Sequence, residues 1–139
     1  MADKEDCALI STDTPLISNL NMLENIALIK EVHLLLPTSE AQKEAQELLE
    51  RIDLGSIGRK RLNQCSSLEI FYVMFIRAMM TSDENISIVT PFFLIKKLSE
   101  IDTVLENISI INNNFKNITI LDTQANQSHY KGELCNIIK

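Results

Sequence analysis

From residue 71 to residue 80 the chain reads FYVMFIRAMM, apolar at every position except Arg77. A helix of that composition is buried on nearly every side, so the rest of a domain must pack around it. Its start is written just upstream. Ser66 can cap the N-terminus, and Glu69 completes a Ser-x-x-Glu capping box. Downstream, a Ser82-Asp83 turn leads into residues 86–90, a short apolar run of strand character.

The remaining segments supply partners for that helix. Residues 7–11 (Cys-Ala-Leu-Ile-Ser) read as a short buried strand, and Pro15 biases Thr14 away from helix. Asn21 and Glu24 form a second capping box, opening a helix to about residue 35 with Leu23, Ala27 and Val32 or Leu34 inward; Pro37 ends it. Thr38 or Ser39 caps the next helix. There Ala41, Ala45, Leu48, Leu49 and Ile52 make one buried stripe, Glu40, Lys43, Glu44, Glu47, Glu50 and Arg51 cover the outside, and Gly55 is the expected stop. Residues 58–64 are a polar connection. Residues 92–113 carry Leu94, Leu98, Ile101, Leu105 and Ile108 at helical spacing, and Asn112, Asn113 and Asn114 end that helix. Residues 118–122 read as a strand, and residues 133–138 as a candidate fourth. Strands alternating with helices predict an α/β fold with a short, mainly parallel sheet of three or four strands.

With 139 residues, 45% hydrophobic and 23% charged, the chain is expected to form one globular domain over 1–139. A net charge of -6 disfavours nucleic acid, and Arg59-Lys60-Arg61 reads as a solvated turn. No apolar run approaches the ~20 residues needed to cross a bilayer. Residues 1–6 are polar and acidic, so a cytoplasmic location without membrane insertion is the expectation. Cys7, Cys65 and Cys135 are too few and too scattered for a disulfide framework or a zinc site. The Asn-x-Ser/Thr triplets at Asn85, Asn107, Asn117 and Asn126 are ascribed to composition. His33 reads as structural and His129 as surface, while Met74, Met79 and Met80 read as core.

The order of the segments carries a resemblance. Residues 62–91, with Ser66, Arg77-Ala78-Met79, the Ser82-Asp83 turn, an apolar strand and Pro91, resemble the stretch of ABC transporter ATPases from the signature helix to Walker B. Residues 15–28, Pro-Leu-Ile-Ser-Asn-Leu-Asn-Met-Leu-Glu-Asn-Ile-Ala-Leu, look like the segment after the family's Q-loop. They are most similar to the branch serving lipoprotein export, lipid transport and cell division. Residues 44–55 are similar to the family's helical subdomain. The resemblance runs from about residue 7 to 138 and covers the family's second half. It implies a truncated P-loop-NTPase-like three-layer fold with a helical subdomain at about residues 19–81.

The departures from that family are systematic. The chain has three glycines and no Gly-x-x-x-x-Gly-Lys-Ser/Thr, so the backbone cradle for phosphate is absent from the sequence. Thr12 or Asp13 stands where the Q-loop Gln is expected, Lys96 at the D-loop Asp and Thr123 at the switch His. The signature turn has become Cys65, Ser66, Ser67, Leu68 and Glu69. Leu68 replaces a glycine that must admit phosphate, and Glu69 brings negative charge to the same place. Val89 and Thr90 occupy the positions of the metal-binding Asp and the catalytic Glu. Phosphoryl transfer depends on positioning and on charge stabilisation around magnesium. The resemblance therefore implies a non-catalytic protein with no cofactor and no metal.

In that family the Q-loop region and helical subdomain receive a permease helix. By resemblance, residues 12–36 and the helix from Ser66 form a contact surface, the partner being an ABC permease, an ATPase subunit or a second copy in a homodimer. Without a phosphate-loop strand, the strands near Ile86 and Ile118 are expected either to pair directly or to leave a gap that a partner fills. Two other readings stand beside this one. The first is a small α/β enzyme working at the strand carboxyl ends, with Thr12, Asp13, Thr90, Asp122 and Thr123 there. The second is a folded remnant without a retained role.

Overall fold

A computed structural model describes residues 7–11, 15–89, 101–112 and 116–121. The elements run β1 (Cys7–Ile10), α1 (Met22–His33), α2 (Thr38–Arg51), α3 (Ser67–Met79), β2 (Asn85–Val89), α4 (Ile101–Ile111) and β3 (Asn117–Leu121). The described strands form one parallel sheet in the order β1-β2-β3. The strands near Ile86 and Ile118 pair directly, from Asn85 opposite Asn117 to Val89 opposite Leu121, so no gap separates them.

That strand order fixes where the helices go. Both crossovers step the same way across the sheet, and a right-handed crossover in each step puts α3 and α4 on one face. The core is continuous there. Ala8, Ile10, Ile86 and Ile88 from the strands meet Phe71, Phe75 and Ile76 from α3 and Val104, Ile108 and Ile111 from α4. The Asn107 Nδ2 donates to the buried Tyr72 hydroxyl at 2.8 Å, tying the two helices together. From Phe71 to Met80 every residue of the α3 segment is buried except Arg77, as its composition requires.

Both capping boxes form. Asn21 Oδ1 accepts from the Glu24 N–H and Glu24 Oε1 from the Asn21 N–H, each at 2.8 Å. The next two amides of α1, at Met22 and Leu23, donate to the Lys60 and Gly58 carbonyls, so the polar connection pins this helix start. Gly58 sits against α1 closely enough that a Cβ would fall 2.8 Å from Leu23 Cγ. The buried face of α1 is Met22, Asn25, Ile26 and Ala27, whereas Val32 and Leu34 are exposed. The stripe that begins Met22-Ile26 comes round to His33, itself exposed, at the last turn, which leaves Val32 to one side.

Other details differ from expectation. The stripe of α2 is buried as predicted, but its N-cap is Pro37 with no side-chain cap, and Thr38 Oγ1 instead donates to Glu31. The helix stops at Asp53 rather than Gly55. Asp53 takes a left-handed φ of 60, with its own N–H on the Glu50 carbonyl and the Leu54 N–H on the Leu49 carbonyl. Strand β1 alternates, with Ala8 and Ile10 buried and Leu9 exposed. In α4 the buried set is Val104, Ile108 and Ile111, with Leu105 half-buried. Leu94, Leu98, Asp122 and residues 133–138 lie outside the described residues, as does the side chain of Ile101.

The most heavily used polar side chain is Asn25. Only 2% exposed, it accepts from the Ile17 N–H at 2.7 Å and donates to the Ile17 and Asn21 carbonyls at 3.1 and 3.0 Å. It holds the chain entering α1 as a second backbone would. Replacing Asn25 by Ala leaves these groups unpaired in a buried place, and unpaired buried groups cost about 1–3 kcal/mol each. Urea unfolding of Asn25→Ala should show a loss of about 2–4 kcal/mol, at the upper end of single substitutions.

Candidate functional site

Two places carry the motif positions that the sequence resemblance marks: the N-terminus of α3 and the carboxyl end of β2. At the first, the Ser66 side chain accepts from the Glu69 N–H at 3.2 Å, and Glu69 Oε1 accepts from the Ser66 N–H at 2.8 Å. A bare helix start attracts an anion through its free amides and dipole. Here the chain's own carboxylate already sits there. Ser67 and Leu68 follow in the first turn, both half-buried. The negative field is felt next door: burial, and after it Glu69, push the Cys65 thiol above its ordinary pKa, while Lys60 pulls it down. Cys65 is a free, half-buried thiol.

At the second place, Val89 ends β2 with a half-buried aliphatic side chain that cannot bind a metal. Thr12, Asp13, Thr90, Lys96, Asp122 and Thr123, which hold the remaining positions marked by the resemblance and the alternative enzyme constellation, lie outside the described residues. No hydrogen bond or ion pair joins Ser66, Ser67, Leu68 or Glu69 to Val89. Among the described residues no three His, Cys, Asp or Glu side chains gather as a metal site, and no helix is long and apolar enough to cross a membrane.

Exposed apolar side chains concentrate in the segment between β1 and α2. Of the six exposed large hydrophobic side chains among the described residues, Ile17, Val32, Leu34 and Leu35 lie between residues 17 and 35. The backbone beneath them is held firmly. Asn25 clamps Ile17, and Arg77 reaches out of α3 to donate through Nη1 to the Pro15 carbonyl at 3.1 Å. Burial pulls the Arg77 guanidinium below its ordinary pKa, yet arginine stays charged in proteins. At the far end Leu35 adopts a left-handed φ of 53 while 84% exposed, and the Leu36 N–H turns back to the Lys30 carbonyl. Lys30 also pairs with Glu44 of α2 at 2.6 Å, a partly exposed contact worth little by itself. The first turn of α3 is the only part of that helix left accessible, since the segment from Phe71 onward is interior apart from Arg77.

This arrangement defines an α/β domain with a parallel sheet backed by helices and a helical insertion between its first two strands. It is the fold of ABC ATP-binding cassettes. The dimeric structure of MJ0796, a bacterial ABC transporter cassette, superposes with a TM-score of 0.66 at 20% identity, over 86% of this chain and 53% of that one. The same cassette in a post-hydrolysis state bound to ADP and Pi gives 0.68 at 20% identity, over 87% and 53%. The protein cbiO1 from Clostridium perfringens, part of the ABC transporter complex cbiONQ, gives 0.71 at 14% identity, over 87% and 48%. The chain thus spans about half the length of the solved cassettes it matches. No family model matches the sequence, and no curated protein does.

The resemblance places a contact surface over residues 12–36, but the pattern of residues missed that Val32 and Leu34, expected inward, are exposed. The signal was the unbroken Leu34-Leu35-Leu36 run before Pro37, too many apolar residues for a helix end to bury. The Glu69 field offers a direct check. In Glu69→Gln the capping hydrogen bond can persist but the charge is gone, so the Cys65 thiol should titrate at lower pH than in the unaltered chain. Alkylation rate against pH, read peptide by peptide by mass spectrometry, measures that shift.

Proposed function

We propose that this chain is a non-catalytic subunit that docks onto an ABC-type permease or its ATPase through the apolar surface between residues 17 and 35. The carrying observation is Leu35. A leucine in the left-handed region costs about 1–2 kcal/mol, and at 84% exposure it recovers nothing by burial within the isolated chain. Backbone strain held beside exposed apolar side chains, on a segment clamped by Asn25 and Arg77, fits a preformed binding surface. An amphipathic partner helix would cover it with side chains three and four apart, which is how helices are received in apolar grooves.

Residue chemistry supports the non-catalytic reading. An aliphatic Val89 ends β2, and Glu69 occupies the helix start that would meet phosphate. The cassette fold supplies the platform, and the segment after β1 supplies the contact.

Two variants separate binding from folding. Leu34→Ser with Leu35→Ser should abolish co-purification with a co-expressed permease–ATPase complex while leaving the urea unfolding curve in place. Leu35→Gly relieves the left-handed strain and should stabilise the isolated chain by about 0.5–1 kcal/mol while weakening capture. Capture unchanged in both variants would refute the docking surface.

A further inference from the structure

We infer that the outer edge of β3 is a self-association surface, at which two copies of this chain pair their β3 strands antiparallel about Thr119. The inference stands apart from the docking reading and rests on different residues.

The edge is defined by hydrogen-bond parity. The Asn117 N–H donates to the Glu84 carbonyl at 2.9 Å, so the amides and carbonyls of Asn117 and Thr119 face β2. Those of Lys116, Ile118 and Ile120 therefore face outward. At Lys116 the outward groups are already paired: Asn112 Oδ1 accepts its N–H and Asn112 Nδ2 donates to its carbonyl, both at 2.9 Å. One side chain thus stands in for one residue of a neighbouring strand. Among the described residues, Ile118 and Ile120 have no such partner.

That remaining edge is self-complementary. An antiparallel pairing centred on Thr119 sets Ile118 opposite Ile120 of the second copy, and Ile120 opposite its Ile118. Every outward N–H and C=O of the two residues then has a partner. The side chains agree, because Ile118 and Ile120 are only half-buried at this margin of the core. Leu105 of α4, also half-buried, packs against the same core. Apposed isoleucines are favourable cross-strand pairs.

Charge selects the occupant. The whole chain carries -6, which opposes self-association over most of its surface, but NITIL is uncharged. Edge strands are commonly guarded by lysine. The nearest lysine is turned away: Lys116 Nζ donates to the Thr81 carbonyl at 2.8 Å and also to that of Asp83, with burial lowering its pKa. A five-residue strand makes a small contact, below the roughly 1,200–2,000 Å² of standard interfaces, so the dimer belongs to the transient, concentration-dependent class.

Thr119 is exposed and pairs with itself across the two-fold, so it can be charged without disturbing the monomer. Sedimentation of the full chain over a concentration series should show a monomer–dimer equilibrium. Thr119→Glu and Thr119→Lys should each weaken it roughly tenfold or more, since like charges then lie directly opposite. An equimolar mixture of the two should restore it. Amide exchange at Ile118 and Ile120 should slow as the unaltered chain is concentrated. Dimers indifferent to both variants, or a mixture that stays monomeric, would overturn the inference. So would an unaltered chain that is monomeric throughout, whether those amides exchange freely or are covered by residues 122–139.

Discussion

The burial of α3 against one face of a parallel sheet is the constraint from which the rest follows. Phe71 and Phe75 are 0% exposed, and each aromatic side chain fully removed from water contributes about 1.5–3 kcal/mol. Because α3 is interior on almost every side, β1, β2, α1, α2 and α4 are arranged around it. Because both crossovers advance in one direction across the sheet, α4 has to join α3 on the same face. Arg77 is the exception that conveys this order outward: rooted in the most buried helix, it holds the Pro15 carbonyl and so the start of the exposed apolar segment.

Seen from that centre, the two surfaces discussed above are different kinds of departure from a self-sufficient domain. Between residues 17 and 35 the backbone is held by Asn25, Arg77 and the carbonyls of Gly58 and Lys60, yet Ile17, Val32, Leu34 and Leu35 face water. At β3, among the described residues, the outward N–H and C=O groups of Ile118 and Ile120 have no partner, while Asn112 closes the neighbouring position. The first suits a partner helix that contributes side chains, the second a strand that contributes hydrogen bonds.

What could be read in the sequence was what local chemistry decides. The Asn21–Glu24 and Ser66–Glu69 boxes formed because cap and counter-cap are three residues apart and need no tertiary help. The α3 core and the buried stripe of α2 followed from periodicity, and the parallel sheet from the alternation of elements. Legibility failed where two residues compete for one role or where a helix runs past its core. Gly55 was the expected stop, but Asp53 came first in the chain and tolerates the left-handed turn. Val32 and Leu34 look like core in a pattern, yet the buried face of α1 is Met22, Asn25, Ile26 and Ala27, and both residues are exposed. Of the positions marked by the resemblance, those around α3 and Val89 are among the described residues, whereas Thr12, Thr90, Lys96 and Thr123 fall outside them.

The fold is that of ABC cassettes, and the proposal is that it has been kept for contact rather than for phosphate chemistry. That proposal is supported by a Ser66–Glu69 box closed on itself and by the aliphatic Val89 at the end of β2. Calorimetric titration of the full chain with magnesium ATP tests this most directly. The account predicts no saturable heat at millimolar nucleotide; a saturable isotherm that disappears with EDTA would contradict it.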